Sequence, residues 1–257
     1  MRAVTDVTAR MRRITVSGEQ LGAFDTHASW VAPGFDDHVK LIFASDGDVA
    51  SALPVQLEHG IEWGPSETRQ ARDYTPRAVR ETAAGLEVDL DFVRHGDGPA
   101  ASWAATAAVG DALWCFGPKS PTVLPDDPDW MVLAGDETAL PAIGRYLDER
   151  PSAAPAHVVV TVASNSARQN LALRDGDTVR WIVGEAGALD TAVRDLPLPA
   201  GTGYVWAASE SSALIPVRRW AARELGLPKS HTNITGYWHV DDTEPEAPGA
   251  NAGAPAV

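Results

Sequence analysis

Cysteine is almost missing from this chain. Cys115 is the only one in 257 residues, so no disulfide can close within the chain, and a reducing compartment, the cytoplasm, is expected. Within Leu113-Trp114-Cys115-Phe116 that thiol reads first as a small buried apolar group and only second as a nucleophile. No apolar run approaches the roughly 18 residues of a membrane-spanning helix. Met1 to Gly18 carries Arg10, Arg12 and Arg13 with no apolar core behind them, so neither a secretory leader nor a membrane partner is expected. Positive charge is scarce as well. Against 35 Asp and Glu stand 21 Lys and Arg, a net charge of −14, which argues against a nucleic-acid partner. Any anionic ligand must therefore find a local basic pocket.

What is present suffices for a sizeable core, since 44% of the residues are hydrophobic, and two domains of ordinary size are expected. The first, residues 1–124, reads as strands: Met11 to Val16, His38 to Phe43 and Gly85 to Val93. In the last of these Leu86, Val88, Leu90 and Phe92 alternate with Glu87, Asp89 and Asp91, as in a half-buried antiparallel strand. Ala44 to Gln70, rich in Gly, Pro, Ser and acids, reads as a long surface loop.

Within this half, Arg72-Asp73-Tyr74-Thr75-Pro76-Arg77 places guanidinium, aromatic and hydroxyl groups on one extended segment. Arg72 or Arg77 can pair with a phosphate, Tyr74 can lie flat on an isoalloxazine ring, and the Thr75 hydroxyl can reach a ring nitrogen. A surface strand with alternating polar residues reads equally well. His95-Gly96-Asp97-Gly98-Pro99-Ala100-Ala101-Ser102 leads into a helical stretch, Ala104 to Ala108, whose mouth leaves backbone N–H groups for phosphate oxygens. A plain turn with a helix cap is the competing reading. Ala112 to Phe116 supplies one more strand.

Asp126, Asp127, Pro128 and Asp129 form a polar hinge, after which strands alternate with helices through residues 125–240. Strands are expected at Trp130 to Ala134, His157 to Ala163, Val179 to Val183, Tyr204 to Ala208 and Ile234 to Trp238, with helices at Leu140 to Leu147 and Ser211 to Leu225. That pattern is a small doubly wound parallel-sheet domain of the kind that binds nucleotides at its strands' carboxyl ends. At the junction Val132 to Ile143 the fingerprint G-x-G-x-x-G is absent, and Asp136 and Glu137 suit a helix dipole better than a pyrophosphate. Residues 241–257, acid, Ala, Pro and Gly, read as a disordered tail.

The chain resembles the siderophore-interacting proteins, flavin-dependent ferric-siderophore reductases of the ferredoxin-reductase superfamily. The resemblance rests on Met11-Arg12-Arg13-Ile14-Thr15-Val16, Asp37-His38-Val39-Lys40-Leu41, Arg72-x-Tyr74-Thr75-x-Arg77 and Asp91-Phe92-Val93-x-His95-Gly96-x-Gly98-Pro99-Ala100. Gly135-Asp136-Glu137-Thr138-Ala139-Leu140-Pro141 and Gly236-Tyr237-Trp238 complete it, in order over about residues 10 to 240. It implies a Greek-key β-barrel that binds FAD, an NAD(P)H-binding α/β domain after it, and a cleft where a ferric siderophore docks.

Carried over by position, Arg72, Tyr74, Thr75 and Arg77 would hold the flavin ring and phosphate, and His95, Gly98, Ala100 and Ser102 the ribityl and pyrophosphate. Gly135, Asp136, Glu137 and Thr138 would approach the nicotinamide nucleotide, and Trp238 would lie near the ring. Lys40 and Lys119 would line a basic substrate pocket together with His239, which stands where the family commonly has Arg. Ser209-Glu210 likewise replaces a Gly-Glu pair. No metal-ligand set and no catalytic acid or base is assigned, because the chemistry implied is electron transfer from NADH or NADPH through FAD to chelated iron. A flavin reductase for another acceptor, or a flavin- or chelate-binding module without turnover, is the alternative, and ferredoxin is an alternative donor. A monomer is expected, though no residue decides it. Nor do Arg168, Arg174 and Arg180, candidates for a 2′-phosphate, decide between NADH and NADPH.

Overall fold

The computed structural model describes residues 1–18, 21, 34–58, 60–94, 96, 98–118, 124–125, 128–150, 152–184 and 188–240. His95, Lys119, Asp126, Asp127 and the tail 241–257 lie outside the described residues.

The N-terminal half contains β1 (Ala3–Thr8), β2 (Met11–Ser17), β3 (Val39–Ala44), α1 (Val49–Ala52), β4 (Val55–Leu57), β5 (Gly60–Glu62), β6 (Arg69–Tyr74), β7 (Pro76–Thr82), β8 (Gly85–Val93), α2 (Pro99–Thr106) and β9 (Trp114–Phe116). Two antiparallel sheets, ordered β1-β2-β8-β7 and β6-β3-β9, close around one apolar core. Ile14, Val39, Leu41, Leu90 and Phe92 fill it. Helix α2 plugs one end, with Ala100 and Ala104 buried and Trp103 set against Phe43 and Phe92. Arg12 donates to the Ala104 and Ala105 carbonyls, satisfying acceptors that a helix C-terminus leaves open.

Strand β8 departs from the expected half-buried alternation, since Val88 to Val93 are all buried. Its acidic face is covered because each carboxylate there meets a guanidinium. Arg13 forks onto Asp91 through two 2.7 Å bonds, and Arg80 meets Asp89 at 2.7 Å. The stretch 44–70 is not one open loop either: it holds α1 and the β4–β5 hairpin, and the Arg69 guanidinium fastens it through the Ala52 and Gly64 carbonyls.

The second half runs β10 (Met131–Gly135), α3 (Leu140–Glu149), β11 (Ala156–Val162), β12 (Thr178–Val183), α4 (Ala188–Arg194), β13 (Tyr204–Glu210), α5 (Leu214–Arg219) and β14 (Thr232–Trp238). Its strands form one parallel sheet ordered β12-β11-β10-β13-β14. The order reverses between β10 and β13, the switch point at which doubly wound sheets open a ligand crevice. The unbroken apolar runs of β10, β11 and β13 follow from burial on both faces, with α3 over one and α4 and α5 over the other. The single helix expected over Ser211 to Leu225 instead starts at Leu214 and widens to a π-turn over Trp220 to Glu224, where the Leu225 N–H bonds to the Trp220 carbonyl. Its first turn is displaced because Glu210 takes the Ser212 and Ala213 N–H groups.

Met11, Phe35 and Val93 from the first half belong to the core beneath α3, so the two halves share apolar packing. Phe35 meets Tyr146 edge-on at 5.0 Å and Trp206 at 5.5 Å between ring centroids.

Candidate functional site

The hexapeptide Arg72 to Arg77 does not stay on one strand. Tyr74 pairs with Val39 at the end of β6, Pro76 pairs with Leu90 at the start of β7, and buried Thr75 is the corner between the two sheets. Strand alternation sends Arg72 and Tyr74 to one side and Asp73 to the other. The Tyr74 ring lies 4.5 Å from Phe92 at a shallow 33°, and burial raises its phenol pKa well above the ordinary value. The Arg72 guanidinium folds back on the Ala71 carbonyl at 2.7 Å.

Arg77 turns away from this corner. It pairs with Asp148 of α3 at 2.7 Å, and its guanidinium lies against Gly144, where a Cβ would strike it. Of the two arginines offered by the sequence as phosphate partners, Arg77 is thus committed to joining the two halves.

Above the corner stands the end of β14. The Tyr237 phenol lies near the Thr75 hydroxyl, which favours its ionised form, and near three carboxylates, those of Asp36, Asp136 and Asp73, which oppose it. Although Tyr237 as a residue is 38% exposed, desolvation of its hydroxyl end raises the phenol pKa above the ordinary value. Asp36 is held in turn by Trp206 Nε1 at 3.1 Å and Asn233 Nδ2 at 2.7 Å.

At the switch point, Gly135 has no space for a side chain, because a Cβ would collide with the Ala208 carbonyl and the Ala139 methyl. Asp136 caps the next turn through the Thr138 N–H at 2.8 Å and the Thr138 hydroxyl at 2.5 Å, and its other oxygen accepts from Ser209 Oγ and Trp238 Nε1, both at 2.8 Å. Glu137 accepts from Arg10 Nε at 3.1 Å and from the Ala163 N–H at 2.8 Å. The turn from Gly135 to Thr138, expected to approach a nicotinamide nucleotide, is therefore occupied in packing and capping, and Trp238 is tied into it. Ser209 is also accounted for: its hydroxyl supplies one of the four bonds to Asp136.

The helix mouth at Gly98 fits the expectation of open N–H groups. Gly98 is the N-cap, no side chain caps α2, and its first turn carries no acid. Ala100 is buried and Ser102 is exposed. Of the basic substrate candidates, Lys40 pairs with Asp73 at 2.7 Å, and His239 Nε2 lies 3.1 Å from Ser211 Oγ beside Glu210. Among the 2′-phosphate candidates Arg174 bonds the Ser152 and Arg150 carbonyls and Arg180 pairs with Asp195, while Arg168 is exposed after β11. No group of three or more metal-ligating side chains occurs among the described residues. No helix of the described residues is long and apolar enough to cross a membrane.

Sequence reasoning missed Asp36 and gave Tyr237 no role. Asp36 has its partners 170 and 197 residues away, so no local pattern could have marked it.

Comparison with known proteins agrees with this geometry. The family described as siderophore-interacting protein matches residues 128–241, and its siderophore-interacting FAD-binding domain matches residues 1–122. An NADPH-dependent ferric-chelate reductase of Escherichia coli is 30% identical over 92% of this chain and 90% of its own length. The ferric vibriobactin reductase ViuB of Vibrio cholerae is 29% identical over 90% of this chain and 85% of its own. Among solved structures, a siderophore utilization protein from T. fusca superposes with a TM-score of 0.81 at 34% identity, covering 93% of this chain and 91% of that one.

Proposed function

We propose, for a chain that belongs to the siderophore-interacting protein family, that it reduces iron(III) held in a siderophore with electrons from NADPH or NADH passed through FAD. The observation that carries the reading is the approach of Tyr237 to Thr75, which brings the Arg72-x-Tyr74-Thr75 motif of the barrel against the last strand of the α/β half. Two further features fit a flavin dinucleotide there. The uncapped N-terminus of α2 is short of acceptors for its N–H groups, and Tyr74 presents a half-buried aromatic group one residue from the corner.

Bound FAD would supply two-electron acceptance from a nicotinamide and single-electron donation to iron. The chain's own contribution is placement. Arg72 would pair with the pyrophosphate, the α2 mouth from Gly98 to Ser102 would receive its oxygens, Tyr74 would orient the ring, and the Thr75 hydroxyl would fix its edge. Neither step calls for a side-chain acid or base. Hard oxygen donors hold iron(II) far less tightly than iron(III), so reduction frees the metal.

The filled turn from Gly135 to Thr138 favours a second donor as well. A one-electron iron–sulfur protein such as ferredoxin would need no nucleotide seat at that turn.

The test is an absorbance spectrum of the purified protein, then anaerobic addition of NADPH or NADH, then a ferric siderophore with a ferrous trap. A yellow protein that bleaches and recolours as trapped iron(II) forms supports the reductase. One that bleaches only with reduced ferredoxin moves the donor, and one that takes up no FAD removes Arg72, Tyr74 and Thr75 from their roles.

A further inference from the structure

The strand order decides which way a nicotinamide dinucleotide lies on the α/β half. Its nicotinamide must face the flavin corner, and that corner meets the sheet on the β14 side. Tyr237 approaches Thr75 there, and Asp36 of the barrel half accepts from Asn233 Nδ2 at 2.7 Å. From that side the carboxyl ends of the strands follow in the order β14, β13, β10, β11 and β12. A dinucleotide that crosses the switch point between β13 and β10 therefore carries its adenosine ribose toward the end of β11, one strand spacing of about 4.8 Å beyond β10.

That end is held firmly. The Thr161 hydroxyl donates to the Gly135 carbonyl at 3.3 Å, and the Ala163 N–H donates to Glu137 at 2.8 Å. The residues that follow, Ala163-Ser164-Asn165-Ser166-Ala167-Arg168, include no carboxylate. Doubly wound sheets that take NAD place an Asp or Glu here to accept from the ribose 2′-hydroxyl, and those that take NADP have an arginine nearby. The Ser164 and Ser166 hydroxyls lie 2.9 Å apart, Ser164 does not cap the short turn after it, and Ser166 and Arg168 are exposed. Among the described residues the Arg168 side chain has no ion pair. Other arginines of this half are committed elsewhere: Arg174 precedes β12, at the opposite edge of the sheet, and Arg180 pairs with Asp195. The acids closest in the fold are also matched, Glu137 by Arg10 at 3.1 Å and Asp136 by its four donors, while Glu185 lies outside the described residues.

We propose that Arg168, together with the Ser164 and Ser166 hydroxyls, receives the 2′-phosphate of the electron donor, so that this chain takes NADPH in preference to NADH. The proposal rests on the reductase reading with a nicotinamide donor and names that donor. A phosphate monoester carries about 1.5 to 2 negative charges at pH 7. One guanidinium about 4 Å away favours it roughly tenfold or more even at the dielectric of water, and the neutral 2′-hydroxyl of NADH gains no such attraction. The serine hydroxyls add donors that either a phosphate or a hydroxyl can use, so the discrimination falls to Arg168.

Calorimetric titration of the FAD-loaded protein at low salt tests this without turnover. The probes are adenosine 2′,5′-bisphosphate, its 3′,5′ isomer of equal charge, and adenosine 5′-monophosphate. The 2′,5′ isomer is expected to bind about tenfold or more tightly than either of the others, and Arg168→Ala to remove most of that difference. Arg168→Lys should keep part of it, because the charge stays while the fork is lost. In turnover, Arg168→Ala should lower the NADPH-to-NADH ratio of kcat/KM by about tenfold, through KM for NADPH. Equal binding of the two bisphosphates, no binding of the 2′,5′ isomer, or an Arg168→Ala variant that keeps the full difference overturns the proposal. Iron(II) formed with equal kcat/KM from NADPH and NADH also overturns it and leaves the reductase reading standing. Binding of the 2′,5′ isomer through Arg168, in a protein whose flavin NADPH does not bleach, would remove the nicotinamide donor from the reductase reading and leave the phosphate site in place.

Discussion

Removing the Asp136 carboxylate should damage the fold before it touches a nucleotide, and Asp136→Ala tests this. One oxygen of Asp136 caps the turn through Thr138, and the other accepts from Ser209 Oγ and Trp238 Nε1. Losing an N-cap costs about 1 kcal/mol. Ser209 is fully buried, so its hydroxyl would be left without an acceptor, and an unsatisfied buried group costs roughly 1–3 kcal/mol. Trp238 is only partly buried, so its indole N–H can recover some bonding to water. The sum is about 2–4 kcal/mol, which lowers the melting temperature by on the order of 5–15 °C for a domain of this size. Urea unfolding followed by tryptophan fluorescence measures it. Asp136→Asn, which keeps one acceptor oxygen, should lose less than half as much. A well-folded Asp136→Ala variant within about 0.5 kcal/mol of the parent, but with NADPH affinity reduced tenfold or more, would refute the capping argument and restore Asp136 as a nucleotide contact.

Thr75→Val keeps the shape of the corner and removes the hydroxyl proposed to fix the flavin's edge, so FAD affinity by flavin fluorescence should fall about three- to tenfold with little change in far-ultraviolet circular dichroism. Gly203→Ala drives a methyl into the Trp130 ring, and because Trp130 is buried the expected loss is about 1–3 kcal/mol in urea titration; a neutral effect would mean that the ring can move aside. Asp37 is buried with one backbone donor, and desolvation lifts its pKa from 3.8 to about 6 despite the opposing Arg145. Between those values the folded state holds a proton that the unfolded state has lost, so this group makes stability fall as pH rises through the window. Asp37→Asn should therefore stabilise the protein by about 1–2 kcal/mol at pH 7.5 and not near pH 4, and an equal shift at both pH values would show that charge is not the cause.

Elements whose burial is set by their own residues were legible in the sequence. Strand β8 was bounded from alternation alone, and β11 from an apolar run that only a two-sided cover allows. Elements whose register depends on distant partners were not. Strand β1 has exposed or half-buried residues throughout and exists because Ala3 to Asp6 pair with Thr15 to Arg12. The buried Asp89 and Asp91 looked like a solvent face because their guanidinium partners sit on other strands, Arg80 across the β7–β8 hairpin and Arg13 78 residues from Asp91. The same limit governed the site. Gly98 and Tyr74 could be singled out from local type and spacing, whereas Arg77 looked identical to Arg72 as a phosphate partner until Asp148 and Gly144 were placed beside it.

The contacts that join the two halves explain why the corner at Thr75 holds a defined shape. Arg10 reaches Glu137 on one side of the seam, Arg77 reaches Asp148 on another, and Arg145 donates to the Pro76 carbonyl, the residue after Thr75. Exposed ion pairs alone are worth little, about 0–1 kcal/mol each. Here they sit around the Phe35, Tyr146 and Trp206 ring cluster, whose burial supplies the larger share, at roughly 1.5–3 kcal/mol for a fully buried phenylalanine. Phe35 precedes Asp36, the carboxylate that bears on Tyr237, so the cluster that fastens the halves also fixes part of the charge around the site. A substitution that loosens the seam, such as Phe35→Ala, should therefore widen the gap between Thr75 and Tyr237 as well as lower stability. It would act on the site from a position that touches neither residue's hydroxyl.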